Sequence, residues 1–361
     1  MVKIESRGLL AARIGSVILA LSLLYFTFHR VDFSHVGRSV ARVGVIGFAL
    51  IATPQLLSLC LECIGWSGVF RLLGRKTAPL TLLRVRLATE ALAQTLPLGV
   101  IWAEALKPLL LGRHAGLGAS DSVAGIVARK YLLMASQAVY VALLSACGFA
   151  TLRQLAASLL GHAELAWGAF AIGGFLALLA FGVSGAFTKG RIADRVLGLL
   201  RGLPHRGLRR ALGQRQAAFT RTDDLTARYF ASGFVRTTLM PGVFFLCGWL
   251  CESLESFLIL RLLGVQLGFF TIAAVEVMLS FLKNVLFVLP AGIGVQDVGY
   301  VSCFAALGVA DPLNMGAAFS LLKRGKELFW ALVGYALLAS EARSAIPTPE
   351  LAAQSLGVDP A

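Results

Sequence analysis

The segment FLKNVLFVLPAGIGVQDVGYV, residues 281–301, decides how this chain is read. It is hydrophobic enough for a bilayer, yet it places Lys283, Asn284 and Asp297 around Pro290 and three glycines, Gly292, Gly294 and Gly299. A lysine or aspartate at the centre of a lipid-facing helix costs about 2.5–3.5 kcal/mol, and proline deletes a backbone donor. A plain spanning helix does not account for these residues. They have to face protein or water.

The rest of the chain supplies the bilayer context. Of 361 residues, 57% are hydrophobic and only 14% charged, well beyond the apolar share of ordinary globular domains. Runs such as GFALIATPQLLSLCLECIGW (47–66) and LAWGAFAIGGFLALLAFGVSGAF (165–187) reach the roughly 20 apolar residues that a spanning helix needs. Near-continuous hydropathy favours helices over a β-barrel, whose strands would alternate. The composition therefore predicts an all-α polytopic membrane protein. A net charge of +14 suits nucleic acid, but the basic residues gather in the links between apolar runs, where membrane topology explains them; no nucleic-acid partner is expected. The six cysteines lie in or beside apolar segments and read as small buried residues. CLEC (60–63) has CxxC spacing without a second Cys or His pair to complete a metal site. The sequence contains no G-x4-G-K-[ST] motif for nucleotide phosphates. No metal and no cofactor are expected.

Full spans are predicted near 10–28, 43–66, 122–148, 165–187, 231–262 (with a bend at Met240-Pro241-Gly242) and 313–340. The first has the basic start and apolar run of a signal peptide but no clear small-residue cleavage site, so it reads as an uncleaved span. Residues 80–112 and 268–308 are broken near the middle, at LPLG (96–99) and LPAGIG (289–294). Each is either a re-entrant helical hairpin or a pair of short spans; the short arms and the breaking residues favour hairpins. The loop 189–230 holds ten Lys or Arg and three Asp, which makes it cytoplasmic by the positive-inside rule. Counting outward puts both termini in the cytoplasm, although Arg30, Arg38 and Arg42 then fall outside. Parts of the loop suit amphipathic helices on anionic lipid, or simply a solvated topology signal. The expected organisation is an N-terminal half (1–187) with the hairpin 80–112, a basic cytoplasmic loop (188–230), a second half (231–340) with the hairpin 268–308, and a disordered tail (341–361).

A shift of 193 residues superposes the broken regions. It aligns Leu96-Pro97 with Leu289-Pro290, Gly99 with Gly292, Glu104 with Asp297, and Lys130 with Lys323. At the equivalent positions before each proline stand Glu90 and Lys283, opposite in sign. Three full spans separate the copies, and an odd number inverts the second. Inverted repeats with broken helices meeting near the midplane are a recurrent transporter design. Left facing lipid, Glu90, Glu104, Lys283 and Asp297 would together cost roughly 10 kcal/mol, so a shared cleft is expected. Arg129 and Lys130 in GIVARKYLL, and Lys323, Arg324, Lys326 and Glu327 in FSLLKRGKELFW, join the set; Lys323 and Glu327 are neighbours on one helix face. The structural alternatives are snorkelling for these basic residues and capping of the helix breaks for Glu104 and Asp297. Trp102, Tyr131 and Trp330 suit a lipid path or an interfacial belt equally.

The segments LPLGVIWAEALKPLLLGRHAGLGASDSVAGIVARKYL (96–132) and LPAGIGVQDVGYVSCFAALGV (289–309) resemble the flippase-like membrane family of the lysylphosphatidylglycerol synthase transmembrane region. Members carry motifs resembling P-x4-G-G-[DE]-x2-R and P-x-G-x-G-x-x-E. Here Glu104 and Lys107 take the acidic and basic positions of the first, while Gly292, Gly294 and Asp297 fit the second. Trp102-Ala103 replaces the glycine pair, Lys107 the arginine and Asp297 the glutamate. The resemblance implies an integral protein of the bacterial cytoplasmic membrane that moves a polar-headgroup lipid (aminoacylated, glycosylated or hopanoid-type) between leaflets. Its expected partners are membrane lipids and a lipid-synthesis enzyme. Lys107, Lys130, Lys283 and Lys323 would meet an anionic headgroup; Glu90, Glu104 and Asp297 would orient an amine or hydroxyl, or carry a proton. Two alternatives stand beside this: an intramembrane transferase with Glu104 or Asp297 as base, for which no nucleophile–histidine pair is evident, and a non-transporting member of a lipid-synthesis complex.

Overall fold

A computed structural model describes Tyr25, His29 and residues 31–96, 99–189, 192–201, 216–285 and 294–345. Among these the chain forms twelve α-helices: α1 (Phe33–Leu72), α2 (Pro79–Thr95), α3 (Gly99–Ala115), α4 (Ala119–Cys147), α5 (Phe149–Leu160), α6 (Trp167–Lys189), α7 (Ile192–Arg201), α8 (Gln216–Ala231), α9 (Met240–Leu262), α10 (Phe269–Val285), α11 (Val295–Ala306) and α12 (Pro312–Ala345). The expected first span (10–28) apart from Tyr25, the breaks Pro97, Pro290 and Gly292, and the expected tail beyond Ala345 lie outside the described residues, as does the side chain of Lys283; residues 341–345 belong to α12.

Among the described residues, four stretches are long and apolar enough to cross a membrane: α1, α4, residues 163–188 and residues 235–262. They match four of the six expected spans. The expected span 313–340 does form one long helix, α12, but it is not among the four. Lys323, Arg324, Lys326 and Glu327 interrupt its apolarity, and the structure turns these groups inward. At the expected bend, Met240-Pro241-Gly242, the helix α9 begins, and a π-helical turn over Val235–Leu239 leads into it. Pro241 then sits in the first turn of α9, where its missing N–H is not needed.

Local signals fix the ends. Asp32 caps α1 by accepting from the amides of Ser34 and His35 at 2.9 and 3.2 Å. The Ser34 hydroxyl, then the His35 and Ser34 amides, hold its carboxyl below the ordinary carboxylate range. Within α1 the backbone breaks at Gly44 (φ 63°, ψ −177°), which separates a leading segment from the apolar part. α1 and α9 both end in RLLG, at 71–74 and 261–264, with Gly74 and Gly264 at φ 76° and 86°. A left-handed residue closes a helix at little cost only when it lacks a Cβ.

The same sequence of parts follows each RLLG. α2 and α10 are both 17 residues long; α3 and α11 follow after the broken links; Gly116 and Gly308, both at positive φ, precede the long helices α4 and α12. A 17-residue helix is about 26 Å long, short of the roughly 30 Å hydrocarbon core. The equivalent helices α1 and α9 pack against each other antiparallel: Gly47 lies against Leu262, Gly248 against Ser58, and Gly65 against Phe245 and the Pro241 carbonyl. Glycine at these positions lets the backbones approach closely. The short arms cross over to the other copy. α2 lies on α12, where a Cβ at Gly334 would stand 2.4 Å from the Leu87 carbonyl oxygen, and α10 lies on α4, where Val141 clusters with Ala273 and Val277.

The basic loop is more than a solvated topology signal. Its helix α8 packs on α4 and α6 and buries Tyr229 and Phe230, and Asp223 caps α7 through the amides of Ala193 and Asp194 at 2.8 and 3.0 Å. The Tyr229 hydroxyl, pushed above its ordinary range by burial, donates to the Thr237 carbonyl at 2.5 Å. The cysteines are all free; Cys63, Cys251 and Cys303 are buried as expected, Cys60 and Cys247 partly so, but Cys147 is exposed where α4 ends.

Candidate functional site

Four helices bring polar stripes to one place. On α1, Gln55, Ser58 and Glu62 recur at helical spacing; on α2, Arg86, Glu90 and Gln94 are four apart; α9 contributes Glu252 and Glu255, and α12 contributes Lys323, Lys326 and Glu327. Residues three or four apart share a face, so each helix turns one polar strip toward the others. Between them lies a cavity of about 130 Å³. Five carboxyl groups line it against three ammonium or guanidinium groups, in a chain of which only 14% is charged.

The first-half charges form a relay. Arg129 on α4, 1% exposed, donates to Glu62 Oε2 at 2.8 Å, and its guanidinium lies 5.4 Å from the Trp66 ring centre. Arg86 Nε stands 3.6 Å from the same Glu62 oxygen, and Arg86 Nη1 pairs with Glu90. The Gln94 amide then donates to Glu90 at 3.2 Å. Gln55 Oε1 and Gln94 Oε1, both on residues lining the cavity, are buried without a hydrogen-bond partner among the described residues.

The second-half charges form a tighter knot. Lys323 Nζ reaches Glu276 Oε1 at 3.1 Å, the Tyr300 hydroxyl at 2.7 Å and Ser256 Oγ at 3.3 Å. Ser256 and Tyr300 in turn donate to Glu276 at 2.5 and 2.7 Å. Lys326 contacts both oxygens of Glu255 at 2.8 Å. Arg324 bonds Glu327 at 2.8 Å and lies 3.7 Å from Asp297. Buried ions persist in an apolar medium only when partnered in this way.

Of the residues singled out in the sequence, Glu90, Lys323 and Glu327 line the cavity, and Arg324 stands beside it. Glu104, Lys107 and Lys130 form a separate cluster on α3 and α4: Glu104 Oε1 bonds Lys107 at 2.7 Å and Lys130 at 2.6 Å. Lys107 is within electrostatic reach of Arg86 and Arg129, which places this cluster next to the first-half relay. Asp297 takes the capping role: its carboxylate accepts from the Gly294 amide at 2.9 Å, and Gly294 holds φ 87° at the start of α11. Gly99 serves a close approach, since a Cβ there would lie 2.1 Å from the Leu92 carbonyl oxygen. Trp102 is exposed, whereas Tyr131 is buried with its hydroxyl 2.9 Å from Thr238; Trp330 packs in an apolar cluster with Leu59 and Leu87.

Glu62, Arg86, Glu252, Glu255 and Glu276 were not among the expected site residues. Two signals in the sequence pointed to three of them. Aligning the RLLG ends at 71–74 and 261–264 sets Glu62 of CLEC on Glu252 of CESLES, and Glu276 is a lone acid in the apolar run FFTIAAVEVMLSF. A lone acid in such a run is by default a candidate functional residue.

The architecture and the buried charges define an integral membrane protein of helical type with a polar chamber inside an apolar bundle. The chain belongs to the lysylphosphatidylglycerol synthase transmembrane-region family, which matches residues 13–334. No curated protein and no solved structure is similar enough to this chain to count as a match.

Proposed function

We propose that the protein is a lipid flippase, moving a polar-headgroup lipid between leaflets through the chamber bounded by α1, α2, α9 and α12. The observation that carries this reading is that one cavity draws charged side chains from both copies of the repeat: Glu62, Arg86 and Glu90 from the first, Glu255, Lys323 and Glu327 from the second. Family membership supports a role with membrane lipids, and the antiparallel packing of α1 on α9 supports two inverted halves, 1–187 and 231–340, joined by the cytoplasmic loop 188–230. A headgroup resists crossing because it must shed water, while its acyl chains stay in lipid throughout. Charged groups fixed in the chamber replace that water. A cavity of about 130 Å³ holds only a small polar group, so the surrounding helices part for the headgroup to pass, as in the rocking of one repeat against another.

The test is leaflet exchange in proteoliposomes, using fluorescent acyl-labelled phosphatidylglycerol, its lysylated derivative and phosphatidylethanolamine, read by one-sided chemical quenching. Wild-type protein is expected to accelerate exchange of at least one probe, and Glu90→Gln or Lys323→Met to abolish the acceleration. The neutral change Gln94→Leu, which removes a chamber amide without removing a charge, is expected to slow it. Rates equal to protein-free liposomes for every probe would overturn the transport reading. Acceleration that survives in all three variants would place the path elsewhere.

A further inference from the structure

A second binding feature lies apart from the chamber and shares no residue with it. Where α1 ends and α9 begins, the two helices leave an open groove of about 630 Å³. Its walls are apolar, with Ile64 and Leu72 from α1 facing Met240, Val243 and Phe244 from α9. Its floor includes Gly68, where an added Cβ would meet nothing within 4 Å, so the space beside it is open. At one end stand two cations, Arg71 in the last turn of α1 and Arg236 in the π-helical turn before α9. Both are exposed, and neither forms an ion pair with a described residue. A recess adjoining the groove through Arg71 adds Arg75 and Lys76. Arg75 is already held by Asp121 at 3.2 and 3.0 Å, which leaves Arg71, Arg236 and Lys76 to meet an outside anion.

We propose that this groove holds one anionic glycerophospholipid, with its phosphate between Arg71 and Arg236 and an acyl chain along the apolar walls past Gly68. Charge complementarity selects the occupant. An apolar trough on the flank of two membrane-crossing stretches suits an acyl chain, and two unpaired guanidinium groups at its end suit a phosphodiester, which arginine binds through parallel N–H donors. Arginine at a helix end would reach the headgroup layer on its own. Two from different helices converging on one open groove make a site for one molecule rather than a diffuse attraction. The end in question is the one where the basic stretch 189–230 enters α9, so by the positive-inside rule the site lies in the cytoplasmic leaflet.

Native mass spectrometry of the detergent-purified full chain tests this, with phosphatidylglycerol and phosphatidylcholine of identical acyl chains added in competition. The wild type is expected to retain one phosphatidylglycerol with about thirtyfold preference, the effect of two basic residues acting near the membrane surface at about 1 kcal/mol each. Arg71→Gln with Arg236→Gln should erase the preference, and Arg71→Lys with Arg236→Lys should keep most of it. Gly68→Leu, which fills the groove while leaving both charges, should lower occupancy by either lipid. Preference unchanged in the glutamine pair, or occupancy unchanged in Gly68→Leu, would overturn the site. Displacement of the lipid by millimolar inorganic phosphate would overturn it as well, by showing an anion site with no need of the chain. The readout is binding and does not depend on leaflet exchange.

Discussion

Glu62 on α1 and Glu255 on α9 make parallel ion pairs in the two halves: Glu62 bonds Arg129 on α4, and Glu255 bonds Lys326 on α12, both at 2.8 Å. Counted from the RLLG turns, Glu255 sits about one helical turn beyond the counterpart of Glu62, and on the first side Arg86 also approaches Glu62, at 3.6 Å. Each pair ties the long helix of a repeat to the helix that opens it.

Removing one partner should cost far more than removing both. Glu62→Ala strands Arg129, which is 1% exposed, and an uncompensated buried charge of this kind costs about 3–5 kcal/mol. The double variant Glu62→Leu with Arg129→Met replaces the pair by apolar groups and should lose far less than the two single changes summed. Unfolding by SDS in mixed micelles measures this. The same cycle at Glu255 and Lys326 should give the same sign, and additive single effects at both pairs would remove the coupling claimed here.

Glycines divide into those that a neighbour fills and those that stand free. Gly99→Ala sets a Cβ against the Leu92 carbonyl, and relieving that overlap should cost about 1–3 kcal/mol. Gly174→Ala in α6 meets nothing within 4 Å and should be neutral or gain up to about 1 kcal/mol from helix propensity. Melting temperatures of the two purified variants decide it; equal values would deny that the α2–α3 junction is tightly packed.

How much of this was legible in the sequence follows from what each signal encodes. Hydropathy gave α1, α4, the span 163–188 and the span 235–262, because burial in lipid is written directly as apolar length. Hydropathy alone marked α12 as a full span, whereas its charges belong to the protein interior. The proline-glycine breaks fall between α2 and α3 and between α10 and α11, and Glu90, Lys323 and Glu327, singled out because charges in apolar helices are costly, line the cavity. Arg86 was missed for a physical reason: its role depends on which helix faces which, and the crossing of α2 onto α12 is a tertiary fact. Glu104 and Asp297 stood out through motif position, yet one sits in a neighbouring ion cluster and the other caps a helix.

The start of α1 should loosen in acid. The Asp32 carboxyl is held below its ordinary value of 3.8 by the hydrogen bonds it accepts, so the ionised form is the one that caps. Its contribution is complete above the unfolded value and is lost as pH falls through the lower folded value. Hydrogen exchange at Ser34 and His35, corrected for intrinsic rate, should lose protection below about pH 3.8 in the wild type. Asp32→Asn should cap without that dependence. Identical pH profiles for the two proteins would show that Asp32 does not control this end.

The proposed inverted arrangement has a direct consequence for the two RLLG turns. α1 and α9 run antiparallel, with Gly47 beside Leu262 and Gly65 beside Phe245, so the turns that close them lie at opposite ends of the pair. Lys76 and Gln266, each two residues beyond the turn glycine and both exposed, should therefore open to opposite faces of the membrane. With the basic stretch 189–230 cytoplasmic, as the positive-inside rule expects, Lys76 should face the cytoplasm and Gln266 the other side. In a background with all six native cysteines replaced, Gln266→Cys should react with a membrane-impermeant maleimide in intact cells, and Lys76→Cys only in inverted vesicles. Labelling of both from one side would rule out the inverted repeat, and with it a chamber built from two opposed halves.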